Sequence, residues 1–213
     1  MNTENNTQPQ LSKNEVDLVI KAAEAGNIEA QNQLGMIYAN GNGIELNYTE
    51  AFKWFNKAAE QNHLQALRTL SWLYANGFGT EQNDNKAQEI CIKLAKLGDA
   101  KDQYFLASLY HSGLYGMKTD SKAMIHWYHQ SAMQHYARAQ YALAKMIMKG
   151  VDLEKNDEIA FQWLSLASIN GHKKADEELK TLMQTVPADI IEGYKKRMTE
   201  SIESAMQQTG LES

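Results

Sequence analysis

Leucine recurs along this chain at a nearly fixed interval. Leu34, Leu70, Leu106, Leu143 and Leu179 are separated by 36, 36, 37 and 36 residues. Further apolar residues surround each at spacings of three and four, as in Leu34, Ile37 and Tyr38 or Leu70, Leu73 and Tyr74, which lays them on one stripe of an α-helix. A second apolar pattern follows at the same interval: Ala51, Trp54, Phe55, Ala58 and Ala59 in the first copy, and Ala160, Trp163, Leu164, Ala167 and Ser168 in the fourth. Gly41, Gly77, Gly113 and Gly150 keep step between the two patterns, and Asn47, Asn83, Asp120 and Asn156 follow them. Glycine takes the left-handed conformation that closes a helix, and an Asn or Asp oxygen accepts an orphan N–H where the next one starts. Asn47 with Glu50 fits a capping-box-like pair. The pattern therefore predicts two antiparallel helices per copy, the first beginning near Ala30, Ala66, Asp102 or Ala139, with the one extra residue placed in the loop between Gly113 and Gly116.

A period of this length defines an architecture. A lone hairpin cannot bury its apolar stripe, so neighbours must stack to supply the core. The predicted fold class is all-α: an α/α superhelical solenoid of four helix-hairpin repeats at residues 27–62, 63–98, 99–135 and 136–171. Gly35, Ser71, Ala107 and Ala144 are small enough to let helix axes approach to about 8–10 Å. The ends read as caps: residues 11–26 as a lone second helix and residues 172–208 as C-terminal helices broken at Pro187. In the latter, Ile190, Ile191, Tyr194, Met198, Ile202 and Met206 recur at helical spacing. That segment either seals the last repeat or offers a face to a partner. Residues 1–10 and 209–213 are expected to be disordered tails.

Composition sharpens this picture. With 25 alanines and only two prolines among 213 residues, helix is favoured over strand. The net charge of −5 argues against a phosphate-binding surface and hence against nucleic acid as a partner. Cys91 is the sole cysteine, so neither an internal disulfide nor a thiolate zinc site follows. The polar start, MNTENNTQPQ, lacks a basic and apolar leader, and no stretch reaches about 18 consecutive apolar residues. The expectation is a cytoplasmic protein without membrane insertion, with a monomer favoured over an oligomer built on residues 188–208.

The residues now in hand resemble the Sel-one-like repeats (SLR), short relatives of the tetratricopeptide repeats. The resemblance is carried by Ala30-x3-Leu34-Gly35-x2-Tyr38-x2-Gly41-x-Gly43, then an Asn or Asp, then Ala51-x2-Trp54-x3-Ala58-Ala59. Departures are local: Ile90 stands for Trp in the second copy, and Met124 and Asp102 each stand for Ala in the third. The resemblance implies first helices on the concave side and second helices on the convex side. It also implies a non-enzymatic module that binds a partner protein, as an adaptor or regulator in bacterial signalling, envelope or secretion assemblies. An immunity protein that neutralises a toxin or effector is a particular version. Cysteine-rich members linked to β-lactam chemistry carry paired cysteines that are absent here.

On that reading the binding row can be named. Residues two before and two after a buried leucine lie about 160° away around the helix: Asn32 and Met36, then Arg68 and Trp72, Tyr104 and Ser108, Tyr141 and Lys145. His111 lies one step further along, in the row of Ala39, Ala75 and Met148, while Lys101 and Arg138 stand at the rim and Phe105 beside it. Aromatics and Arg are the common anchors of protein interfaces, and the rim cations suit an acidic partner. The alternative is that the rings pack between adjacent repeats.

Catalytic candidates are sparse. His126 and His129 share a helical face, but no third ligand or supporting carboxylate is evident. His111 has no nucleophile and oxyanion hole beside it. Cys91 falls where Phe55, Tyr128 and Leu164 fall in other copies, which suits a small core hydrophobe better than a reactive thiol. The Gly-Asn-Gly and Gly-Phe-Gly turns follow helices rather than strands, unlike phosphate cradles. No catalytic residue, metal or cofactor is therefore expected. The rival from another class is a small-ligand hydrolase, which would need an enclosed pocket. The register itself is testable: Leu70→Ala is expected to cost about 2–5 kcal/mol through the cavity it opens, measured by urea unfolding, and a neutral outcome would refute the assigned stripe.

Overall fold

The computed structural model describes residues 10–209. Eleven helices run through them in chain order: α1 (Lys13–Glu24), α2 (Ile28–Asn40), α3 (Tyr48–Glu60), α4 (Leu64–Asn76), α5 (Asp84–Lys96), α6 (Ala100–Ser112), α7 (Ser121–Met133), α8 (Ala137–Lys149), α9 (Asp157–Ile169), α10 (Lys173–Thr185) and α11 (Ala188–Thr209). A single 3-10 turn at Leu114–Gly116 takes up the extra residue of the third copy. No strand occurs among the described residues, and the architecture is all-α, built of helix hairpins repeated at the interval that the leucines mark. No helix among them is long and apolar enough to cross a membrane. Most of the expected terminal tails, residues 1–9 and 210–213, lie outside the described residues.

Local chemistry sets the helix starts. Asn47, Asn83, Asp120 and Asn156 adopt almost one backbone conformation (φ −149°, −150°, −145° and −148°). Each side chain accepts the N–H three residues on, opening α3, α5, α7 and α9. A second set of caps, which the sequence reading did not assign, opens the first helices: Asn27, His63, Asp99 and His172 accept N–H groups of Ala30, Ala66, Asp102 and Ala175. The residue before each of these caps has positive φ, whether Gly26, Asn62, Gly98 or Gly171. Such caps satisfy donors that the first turn otherwise leaves orphaned.

The described chain gathers into two compact units. One comprises the chain up to Leu97 with Gly113–Lys118; the other comprises Gly98–Ser112 and the chain from Thr119 onward. Within the first unit α1 to α5 pack in sequence, each on the next. Within the second, α6 to α10 do the same and α11 docks on α9. Leu34, Leu70, Leu106 and Leu143 are at most 3% exposed, so the periodic leucine is core in every hairpin. Gly35 lies so close to Phe55 that a Cβ there would stand 2.8 Å from its ring. In the third copy Met124, 2% exposed, fills the place that alanine holds in the others. Ile191 is buried, Tyr194 lies 5.6 Å from Phe161 between ring centroids, and Arg197 pairs with Glu158, which fastens α11 to α9.

A polar joint crosses three of the hairpins. Gln61 Nε2 donates to Gln31 Oε1 at 2.8 Å, Gln134 Nε2 to Gln103 Oε1 at 2.8 Å, and Asn170 Nδ2 to Gln140 Oε1 at 2.9 Å. Gln31 and Gln140 in turn donate to the carbonyls of Ala23 and Ala132 on the preceding helix. The second copy replaces both members of the pair, with Leu67 and Leu97. Changing both partners together avoids leaving a buried amide unpaired.

One turn position separates the fourth copy from the rest. Gly79 has φ 70°, and a Cβ there would collide with the Tyr48 carbonyl. The equivalent Asp152 holds φ 58°, and its carboxylate accepts the Ser121 hydroxyl at 2.7 Å. Gly79→Ala is expected to cost about 2–4 kcal/mol, whereas Asp152→Gly should stay within about 1 kcal/mol of the parent. Urea unfolding of the two variants side by side measures the contrast.

Candidate functional site

Three first helices of the second unit line an open hollow of about 730 Å³. Tyr104 comes from α6, and Arg138, Tyr141, Ala142 and Lys145 come from α8. Gly171, His172, Lys173 and Lys174 come from the junction of α9 and α10. Successive hairpins in register bring these positions together, because each first helix presents the same face to its neighbour. The ring wall is braced. Tyr141 stacks on His172 with centroids 4.2 Å apart and planes 20° from parallel, while Tyr104 lies 5.4 Å from Tyr128 and 5.3 Å from Tyr136. His172 Nδ1 accepts the Ala175 N–H at 3.2 Å, so the cap that starts α10 also fixes the imidazole against Tyr141 and leaves the ring proton on Nε2.

Cationic side chains dominate the lining of the hollow, with Glu178 at its edge. Arg138, Lys173 and Lys174 are exposed, and none of the residues lining it is a carboxylate. Burial, then the charges of Arg138 and Lys174, hold the His172 pKa below the usual imidazole range. Glu178 reaches in from α10: its Oε1 accepts the Tyr141 hydroxyl at 2.7 Å, and Lys145 Nζ donates to both of its oxygens at 2.9 Å. Burial raises the Glu178 pKa, but the bonds from Lys145 and Tyr141 outweigh that and keep the carboxyl below its ordinary value. The Tyr141 phenol is pushed up to about 12 by burial and by its bond to Glu178. A second, more apolar hollow of about 260 Å³ is lined by His111, Tyr128, Met146, Lys149 and Val151. It shares Ala142 and Lys145 with the first.

The structure thus brings Tyr104, Arg138, Tyr141 and Lys145 to one hollow and His111 to the next. Phe105 is 40% exposed on α6, Lys101 is exposed, and the half-buried Ser108 donates its hydroxyl to the Phe105 carbonyl. In the first unit Met36 is exposed and Arg68 half-buried. Trp72, 43% exposed, stacks on Phe78 at 5.0 Å, and Phe78 stands 5.0 Å from Tyr48.

Asn32 requires a correction. Expected on the open face, it is 2% exposed and its Oδ1 has no hydrogen-bond partner. Helix α2 is flanked by both α1 and α3, and this short side chain does not extend past that packing as the longer Arg68, Tyr104 and Tyr141 do at the same register. Ala75 is buried for the same reason of size.

Among the catalytic candidates, His126 packs edge-on to Trp127 and His129 to Trp163. No group of three His, Cys, Asp or Glu suited to a metal occurs among the described residues. Cys91 is 2% exposed in the core.

His172, Lys173, Lys174 and Glu178 were missed by the sequence reading, which took the helix before Pro187 as a cap and allowed a partner-facing role only to the segment beyond it. The signal was present: one more step of the register places Lys174 where Arg138 and Lys101 stand in earlier copies. Because the folded chain holds His172 neutral, the unfolded chain takes up its proton first as the pH falls below about 6.5. Stability from this group is therefore complete above that value and declines below it. Urea unfolding is expected to show a loss as the pH falls below about 6.5 that His172→Asn, which can still cap α10, flattens.

The comparisons with known proteins agree with this architecture. The Sel1 repeat model matches residues 28–63, 64–99, 100–136 and 137–172. A Sel1 repeat protein from Oxalobacter formigenes is similar at 31% identity and TM-score 0.68, over 79% of this chain and 69% of that one. A protective antigen of uropathogenic Escherichia coli strains displaying an SLR fold is similar at 26% identity and TM-score 0.69, over 87% of this chain. The match spans only 41% of that antigen's length. An immunity protein from Pseudomonas aeruginosa is more remote, at 20% identity and TM-score 0.47 over 91% of this chain and 77% of that one, and bears on neither fold nor function here. No curated protein is a significant match. With four consecutive matches spanning residues 28–172, on hairpins that keep the same register, the chain belongs to the Sel1 repeat family.

Proposed function

We propose that this chain is a non-enzymatic protein-interaction module, an adaptor or regulator, and that its second unit holds an acidic, extended segment of a partner protein. The carrying observation is the trio Arg138, Lys173 and Lys174 around a braced wall of Tyr104, Tyr141 and His172, in a chain whose net charge is −5. Cations concentrated in one hollow of an acidic protein steer an acidic ligand to that place and away from the rest of the surface. The rings add rigid contact area at little entropic cost, because stacking and the His172 cap already hold them. The neighbouring apolar hollow of Tyr128, Met146 and Val151 receives an uncharged side chain of the same segment, which gives selectivity beyond charge.

This arrangement is one of recognition. Tyr141 and Lys145 are engaged with Glu178 and His172 caps α10, while Arg138, Lys173 and Lys174 stand exposed for a ligand. Replacing Arg138, Lys173 and Lys174 together by Ser is expected to weaken capture of a glutamate-rich peptide by about 10- to 100-fold with helicity unchanged. Fluorescence anisotropy at low and high salt measures the change. Undiminished capture, or equal capture of a single-stranded DNA oligonucleotide, would overturn the reading.

A further inference from the structure

Glu178 stands out against the rest of the register. Its equivalents in the four copies are Gln33, Thr69, Phe105 and Ala142, none of which carries charge. It projects from the last first helix onto the edge of the basic hollow and uses both oxygens there, one on the Tyr141 hydroxyl and both on Lys145. Two donors converging on one carboxylate form a carboxylate site, whatever molecule supplies the anion. The pair is also accessible: the Lys145 and Glu178 side chains are 32% and 31% exposed, and an ion pair in contact with water is held weakly. Tyr141 and Lys145 both line the hollow itself, so an anion lying there meets the same two donors from the open side.

We infer that Tyr141 and Lys145 form a carboxylate-binding site for the acidic partner segment, and that Glu178 fills it as a built-in stand-in until a Glu or Asp of the partner takes its place. This rests on the acidic-segment reading above and deepens it. The exchange conserves the bonding, one carboxylate for another on the same phenol and ammonium, so it needs no opening of the core. Glu178 thereby lowers affinity for any single weak acid, and a segment already anchored on Arg138, Lys173 and Lys174 displaces it by virtue of its high local concentration.

Glu178→Gln removes the competing charge while keeping the side chain's size and a hydrogen-bond acceptor. The variant is expected to bind a fluorescein-labelled glutamate-rich peptide about threefold to tenfold tighter than the parent chain. That gain should vanish in Glu178→Gln combined with Lys145→Ala, while circular dichroism shows the same helicity throughout. Free glutarate, which lacks the anchoring residues of a peptide, should compete only at far higher concentration. Equal or weaker binding by the Glu178→Gln variant, with the parent still capturing the peptide through Arg138, Lys173 and Lys174, would overturn this inference alone. If neither chain captures the peptide, the acidic-segment reading falls and this inference falls with it.

Discussion

A single helical hairpin of this chain has more apolar surface than it can hide by itself. Leu34 or Leu143 on a first helix, and Phe55 or Leu164 on a second, become buried only when the next element lies against them. Every other feature follows from that need. The interval between copies must be nearly constant, because a shift of one residue turns a helix by about 100° and carries the stripe out of the joint. The only change in interval, at Gly113–Gly116, is absorbed in a turn outside the helices. Small residues keep the helices close, as Gly35 does against Phe55.

Hydrophobic stacking tolerates many neighbours, so polar contacts have to select the correct one. The Gln31–Gln61, Gln103–Gln134 and Gln140–Asn170 bonds do this at the hairpin joints. A buried amide that finds no partner is costly, so a misregistered hairpin loses more than apolar contact. In one copy both positions are leucine, Leu67 buried and Leu97 exposed, so no buried amide is left there without its partner. The helix starts obey a similar economy: at α2, α4, α6 and α10 one side chain closes an orphan N–H just after a left-handed residue, while Tyr136 before α8 supplies no such cap.

The same construction makes the basic hollow. Because α6, α8 and α10 recur in register, residues separated by one repeat become neighbours in space, and Arg138 and Lys174 converge without any dedicated loop. His172 shows how tightly structure and site are joined here: its imidazole caps α10, stacks on Tyr141 and lies in the field of Arg138 and Lys174. A group with three simultaneous duties has little freedom to move, and this keeps the ring wall rigid.

The repeating leucines, turn glycines and capping Asn and Asp residues carry the fold openly in the sequence, because each acts within its own helix or turn. Helix class, hairpin register and the location of the extra residue could all be read from them. Part of the candidate site was readable too, since Tyr104, Tyr141 and Lys145 stand two residues to either side of a buried leucine, with Arg138 at the rim. What the sequence could not decide is which members of that row stay open: Asn32 shares the register of Tyr104 and Tyr141, yet lies buried. Nor could it show that Glu178 closes onto Tyr141 and Lys145. Those outcomes depend on side-chain reach and on the elements flanking each helix, which exist only once the hairpins have stacked.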